Sequence, residues 1–140
     1  MLLHLVRHGR TASNVAGLLD TAHPGAPLDR VGRGQAAALV GRLDGVRVDA
    51  VYSSDIVRAV QTGTPLAQVR ELLLTTLPGL REIPAGDLEM LDDWRPYIDV
   101  LRAWGEGEPG RRRPGGEDAF AFFDRFDAAA CPGFDLPGFW

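Results

Sequence analysis

Apolar residues fall along the chain in short runs that alternate with segments of helical spacing. The first run, residues 2–6 (LLHLV), reads as a buried strand and leads straight into Arg7, His8 and Gly9. Residues 9–29 follow, rich in Gly, Thr, Ser, Asn, Asp and Pro and without periodicity. A loop that long inside a compact domain is usually functional. Asp29 then stands before Ala36, Leu39, Val40 and Leu43, which recur at helical spacing. Asp29 suits the cap of that helix and Gly45 its stop. Residues 46–52 (VRVDAVY) carry the β-branched and aromatic residues of a second strand. It ends in Ser53 and Ser54, and Asp55 is placed to cap a helix over 55–67 that Pro65 should kink or shorten. A third strand is expected at 72–77 (LLLTTL), before Pro78 and Gly79.

Two more helices follow. Over 92–104, Trp94, Tyr97, Ile98, Leu101 and Trp104 mark one apolar face, the pattern of core packing. Over 117–130, Phe122, Phe123 and Phe126 share a side. Residues 105–116 between them read as a loop, with Arg111 to Arg113 as a solvated charge run or, alternatively, a guide for an anionic substrate. The tail CPGFDLPGFW, 131–140, has prolines and glycines that cannot continue the helix. Strands alternating with helices predict an α/β sandwich with a largely parallel sheet. In such sheets ligands bind beyond the carboxyl ends of the strands. LVRHG, VYSS and TTLPGLRE all place polar residues there.

Composition narrows the class. The 140 residues suffice for one domain with a core, and 45% hydrophobic with 24% charged residues fits a globular chain. No apolar run approaches the roughly 20 residues of a membrane helix, so no membrane partner is expected. A net charge of -4 argues against nucleic acid. All 15 basic residues are arginine, which composition bias alone can produce. One cysteine, Cys131, excludes an internal disulfide and makes a reducing, cytoplasmic setting the default. His4 and His8 have the spacing of a helical metal pair, but strand residues at that spacing need not converge, and no metal is expected.

Arg7, His8, Arg58 and Glu82 lie at three successive expected strand ends. Two guanidiniums can grip a phosphoryl group through paired hydrogen bonds better than lysines can. A neutral imidazole between them can attack phosphorus. The arginines stabilise the developing charge, and the carboxyl can protonate the leaving oxygen and then deprotonate water. Arginine does the charge work, so no cofactor is required. Thr11, Asn14 and His23 in the long loop can hydrogen-bond a ligand, or can serve local turn chemistry.

These residues carry a resemblance. LVRHGRT (5–11), PLDRVGRGQA (27–36), VYSSDIVRAVQT (51–62), LREIPAGDLE (80–89) and PGGED (114–118) resemble, in order and spacing, the motifs of the histidine phosphatase superfamily, with its phosphoglycerate mutase-like fold. The resemblance covers residues 1 to about 130. It implies a three-layer sandwich with a largely parallel sheet flanked by helices. It also implies a metal-independent phosphatase acting on a small phosphorylated metabolite. In that reading His8 is the phosphorylated nucleophile. Arg7 and Arg58 hold the phosphoryl group, and Glu82 donates and accepts the proton. Asn14 resembles a family position that contacts phosphate or substrate, and Thr11 and the loop near His23 line the mouth. A mutase would need a site that retains the phosphorylated intermediate, which no residue indicates.

The chain also departs from the family pattern. Asp29 stands for the usual Thr, Gly63 for the usual Ala and Met90 for the usual Gly. Family members carry a second catalytic histidine in a V-S-H-G-like motif on a late strand, and nothing similar follows Ala130. Residues 1–130 therefore read as a histidine phosphatase-like domain incomplete at its C-terminal end, with 131–140 an atypical tail. Three explanations stay open. The tail folds over the gap, a second copy covers the exposed sheet edge as a homodimer, or the tail reflects a truncated or frame-shifted reading of a longer gene. Function divides accordingly between a working phosphatase and a weak or inactive phosphate-binding or partner-binding remnant.

Overall fold

The structure is a computed structural model and describes residues 2–130. Its centre is a βαβ unit. Strand β1 (Val51–Ser53) and strand β2 (Leu74–Thr76) pair in parallel, with Val51 opposite Leu74 and Ser53 opposite Thr76. Helix α3 (Val57–Val69) joins them and packs on both. A Cβ on Gly63 would lie 3.0 Å from Leu74 Cδ1, so alanine at this position would press the Leu74 side chain aside slightly. Helix α2 (Arg30–Arg42) lies against α3. Asp29 caps it as expected, accepting from Gly32 N at 2.7 Å, and this bond holds its carboxyl below the usual range. Helices α4 (Arg95–Gly105) and α5 (Ala119–Ala130) follow, α5 packing on a 3₁₀ turn at Pro78–Leu80. The chain is thus α/β with a small parallel sheet flanked by helices.

The pattern of apolar residues misleads at several points. Residues 2–6 do not form a strand, and Leu2, Leu3, Leu5 and Val6 are all exposed, Leu2 and Leu5 at 78%. A strand exists only by pairing, and among the described residues none pairs with this segment. The strands expected at 46–52 and 72–77 shrink to three residues each. Asp55 does not cap α3; the cap position is Ile56, and the Asp55 carboxylate binds the Arg81 guanidinium through two hydrogen bonds. Helix α3 continues past Pro65 to Val69, packed on its buried residues Thr62, Leu66 and Ala67.

The buried face of α4 is Tyr97, Val100 and Ala103, whereas Trp94 and Ile98 are exposed. Tyr97 joins Leu19 and Ala85 in the core. The expected solvated arginine run fails at one of its three positions. Arg111 and Arg112 are exposed, but Arg113 is buried, stacked 4.3 Å over the Tyr97 ring and donating to Pro84 O and Tyr97 O. A guanidinium can be taken into an interior when a ring face and carbonyls receive it. The Phe122, Phe123 and Phe126 cluster on α5 is present. The tail over 131–140, including Cys131, lies outside the described residues. No described helix is long and apolar enough to cross a membrane.

The long loop is ordered by its own polar side chains. A short helix α1 (Ala12–Ala16) opens with a capping box, Thr11 Oγ1 accepting from Asn14 N and Asn14 Oδ1 from Thr11 N, both at 3.1 Å. Further on, Leu19 N donates to Leu91 O and Met90 N to Leu19 O. The Glu89 carboxylate takes hydrogen bonds from Thr21 N, Thr21 Oγ1 and Ala22 N, strapping the loop to the 84–91 segment. At that junction Met90 has φ +62°, a left-handed conformation that favours glycine. The Met90 side chain is half exposed, so little packing is lost on removing it. Met90→Gly is expected to stabilise the chain by about 0.5–1 kcal/mol, seen as a melting midpoint a few degrees higher.

Candidate active site

The turn after residue 6 is fixed by two glycines. A Cβ on Gly9 would lie 2.6 Å from Gly32 O, and one on Gly32 would lie 2.1 Å from Arg10 O. The first turn of α2 therefore rests directly on the backbone of residues 9–10. Gly9 N donates to Thr62 Oγ1 (3.0 Å), whose hydroxyl donates to Arg58 O (2.7 Å). Arg10 N donates to Gln35 Oε1, and its guanidinium pairs with Asp29. Helices α2 and α3 thus clamp the turn that presents His8.

His8 is half-buried. Its Nδ1 lies 2.8 Å from Gly9 O, and a carbonyl only accepts, so Nδ1 carries the proton. That leaves the lone pair on Nε2, which accepts from Arg58 Nε at 3.0 Å. Burial lowers the His8 pKa below 6.5. The Gly9 bond and Glu82 oppose this, and the nearby charges of Arg58 and Arg7 add to it. At neutral pH the ring is therefore neutral, and its Nε2 lone pair is held by Arg58 until a ligand takes over that guanidinium.

Arg58 is the hub. It sits in the first turn of α3 and is 3% exposed. Beyond its bond to His8, its NH2 lies 3.5 Å from Glu82 Oε2 and its NH1 3.8 Å from Asp20 Oδ1. Glu82 is exposed, with 48% of its side chain accessible, but the backbone beneath it is held firmly. Arg125 of α5 donates to Gly79 O (2.7 Å), Arg81 O (2.8 Å) and Glu82 O (3.3 Å), and is itself gripped by the Glu117 carboxylate. The Arg81–Asp55 pair ties the same segment to the end of β1.

The structure therefore brings His8, Arg58 and Glu82 together. Arg7 is exposed beside His8 and borders, with Arg42 and Gln35, an open cavity of about 290 Å³ that also touches His8. Thr11 is buried and its hydroxyl serves the cap of α1, and the Asn14 carbonyl serves the same cap. His23 is exposed, in the loop near Asp55. Among the described residues no hydrogen bond or ion pair joins Thr11, Asn14 or His23 to His8. No group of three or more His, Cys, Asp and Glu side chains there is placed to hold a metal ion. Sequence reasoning missed Asp20, Gly25, Thr62, Glu89 and Arg125. Thr62 and Glu89 lie inside motifs already noted, and Asp20 and Gly25 in a loop without periodicity, where no local signal marks them.

This arrangement matches known proteins. The family model described as the histidine phosphatase superfamily (branch 1) matches residues 3–131. The adenosylcobalamin/alpha-ribazole phosphatase of Salmonella typhimurium is 41% identical over 90 residues, covering 64% of this chain and 44% of that protein. A probable phosphoglycerate mutase of Proteus mirabilis is 31% identical over 144 residues, covering 96% of this chain and 64% of that one. Among solved structures, a mycobacterial glucosyl-3-phosphoglycerate phosphatase complexed with VO3 superposes with TM-score 0.74 at 27% identity, covering 89% of this chain and 63% of that chain. The chain thus spans about half to two-thirds of the length of these relatives, which are phosphatases and mutases of one fold. The chain belongs to the histidine phosphatase superfamily.

Proposed function

We propose that the protein is a metal-independent phosphoric monoester hydrolase acting on a small phosphorylated metabolite through a phosphohistidine at His8. The observation that carries this reading is one buried guanidinium, Arg58, within 3.0 Å of His8 Nε2 and 3.5 Å of the Glu82 carboxylate. The phosphoryl oxygens draw Arg58 off His8, the freed lone pair on Nε2 attacks phosphorus, and the ester P–O bond breaks. The departing oxygen takes a proton from the Glu82 carboxyl. Glu82, now a carboxylate, takes a proton from water as that oxygen attacks phosphorus. The P–N bond breaks, Nε2 regains its lone pair and inorganic phosphate leaves. Arg58 and Arg7 carry the charge on the phosphoryl oxygens, and Asn14, Thr11 and His23 lie on the loop that borders the substrate. The phosphatase names of relatives such as the Salmonella protein support the reaction class. The single cysteine supports a reducing, cytoplasmic setting.

The purified chain should hydrolyse a generic aryl phosphate, and His8→Ala should abolish that turnover. Equal turnover by the two proteins would remove the reading. Arg125 gives a second prediction. Freed of its three carbonyl contacts, the Glu82 segment shifts, and Arg125→Ala should lower kcat about tenfold to a hundredfold, with Arg125→Lys recovering part of it. Steady-state kinetics beside melting curves measures both.

A second reading is a phosphate-binding module with little turnover. The observation favouring it is that His4 and His23, the other two histidines, are exposed and make no hydrogen bond around His8 among the described residues. It predicts phosphate binding without hydrolysis. In either reading, the exposed Leu2, Leu3, Leu5 and Val6 favour a homodimer that covers this segment. A strictly monomeric elution profile counts against that association.

A further inference from the structure

We infer that Asp20 is a positioning residue that holds the Arg58 guanidinium in its phosphoryl-binding orientation, an inference that rests on the site reading above. Asp20 lies in the loop between α1 and α2 and its side chain is 9% exposed. Its Oδ2 is fixed by Ser13 Oγ (2.7 Å) and by Ala26 N (3.0 Å). Its Oδ1 faces Arg58 NH1 at 3.8 Å, an electrostatic contact longer than a hydrogen bond. That NH1 is buried and accepts no other role: it has no hydrogen-bond partner in the structure.

Gly25 closes the other side. A Cβ there would lie 2.6 Å from Arg58 NH1, so the loop backbone walls in the guanidinium. A buried cation needs acceptors or a compensating charge, and this NH1 has no hydrogen-bond acceptor. Glu82 is half exposed and must change its proton during the proposed reaction, so it is a poor permanent counter-ion. The Asp20 side chain is largely shielded, anchored twice, and on the opposite edge from His8. It draws NH1 towards the loop and leaves the Nε and NH2 edge directed at His8 and Glu82. This is the preorganisation that makes a charged donor effective. The loop between α1 and α2 is thereby coupled to the phosphate grip.

The test uses Asp20→Asn, which keeps the shape and the acceptor for Ser13 and Ala26. The first readout is the titration of His8 by NMR in protein without phosphate. The charged groups facing His8 are Arg58 from α3, Glu82 from the 81–89 segment and Arg7 from its own segment. Loss of a negative charge acting only through space lowers the His8 midpoint. Release of Arg58 from His8 raises it, because Arg58 is one of the charges depressing it. The positioning role predicts a rise of about 0.5 pH unit; an unchanged or lower midpoint overturns it.

The second readout is binding of inorganic phosphate by calorimetry. Asp20→Asn should weaken it about tenfold, and the same substitution in an Arg58→Ala background should change it less than twofold. Equal losses in both backgrounds overturn the inference. Absence of phosphate binding by the unmodified chain speaks against the proposed function, while the His8 titration still decides the role of Asp20. If Asp20→Asn does not fold, Ser13→Ala removes one anchor of the carboxylate and should move the His8 midpoint in the same direction by less; no movement overturns the inference.

Discussion

Gly32→Ala should destabilise the chain by more than about 3 kcal/mol and loosen the His8 turn with it. The added Cβ would lie 2.1 Å from Arg10 O and 2.8 Å from Arg10 N, and both are backbone atoms that no rotamer change can move. Relief requires α2 to lift off residues 9–10. That shift breaks the bond from Arg10 N to Gln35 and the bond from Asp29 N to Arg10 O. Gly34, two residues on in the same helix, provides the control. A Cβ there meets nothing within 4 Å, and alanine is the better helix former. Gly34→Ala should therefore stabilise by about 0.5–1 kcal/mol. Denaturant unfolding of the two variants measures the contrast, and similar effects at both positions would mean that the turn and α2 are not in contact.

Arg58→Ala is the second large effect. It removes the donor on His8 Nε2, the partner of Glu82 and the counter-ion of Asp20 at once. Losing one preorganised donor of this kind lowers kcat by about 10²–10³. The largely shielded Asp20 carboxylate is then left with Ser13 and Ala26, and breaking a pair with a buried member costs up to about 3 kcal/mol. Both the rate on an aryl phosphate and the melting midpoint should fall. Arg58→Lys should recover much of the stability and little of the rate, because one ammonium cannot face His8 and Glu82 together. A lysine variant with full rate would show that only the charge matters.

The candidate site was legible in the sequence because its members stand at the ends of apolar runs. LVRHG, VYSS with the following Arg58, and LRE gave His8, Arg58 and Glu82, and the structure brings those three together. Helix boundaries were readable wherever a polar cap was spent locally, as at Asp29. Asp55 misled because its carboxylate found a guanidinium 26 residues away, a contact that no local pattern encodes. Arg113 misled for the same reason, since the Tyr97 ring and two carbonyls that bury it come from other segments. Residues 2–6 show the limit most plainly. An apolar run announces a surface to be covered, but a strand also needs a neighbour, and the run does not say which. Asp20 was unreadable because a loop aspartate has the same local sequence whether it faces water or a buried arginine.

The central claim is that His8 Nε2 takes the phosphoryl group. Rapid quench of the purified chain with an aryl phosphate, followed by mass spectrometry under alkaline conditions that preserve phosphohistidine, tests it directly. A phosphoryl group should appear on the peptide carrying His8 during turnover, be lost when the substrate is exhausted and never form in His8→Ala. Steady turnover with no phosphoryl group on His8, or unchanged turnover in His8→Ala, would contradict it.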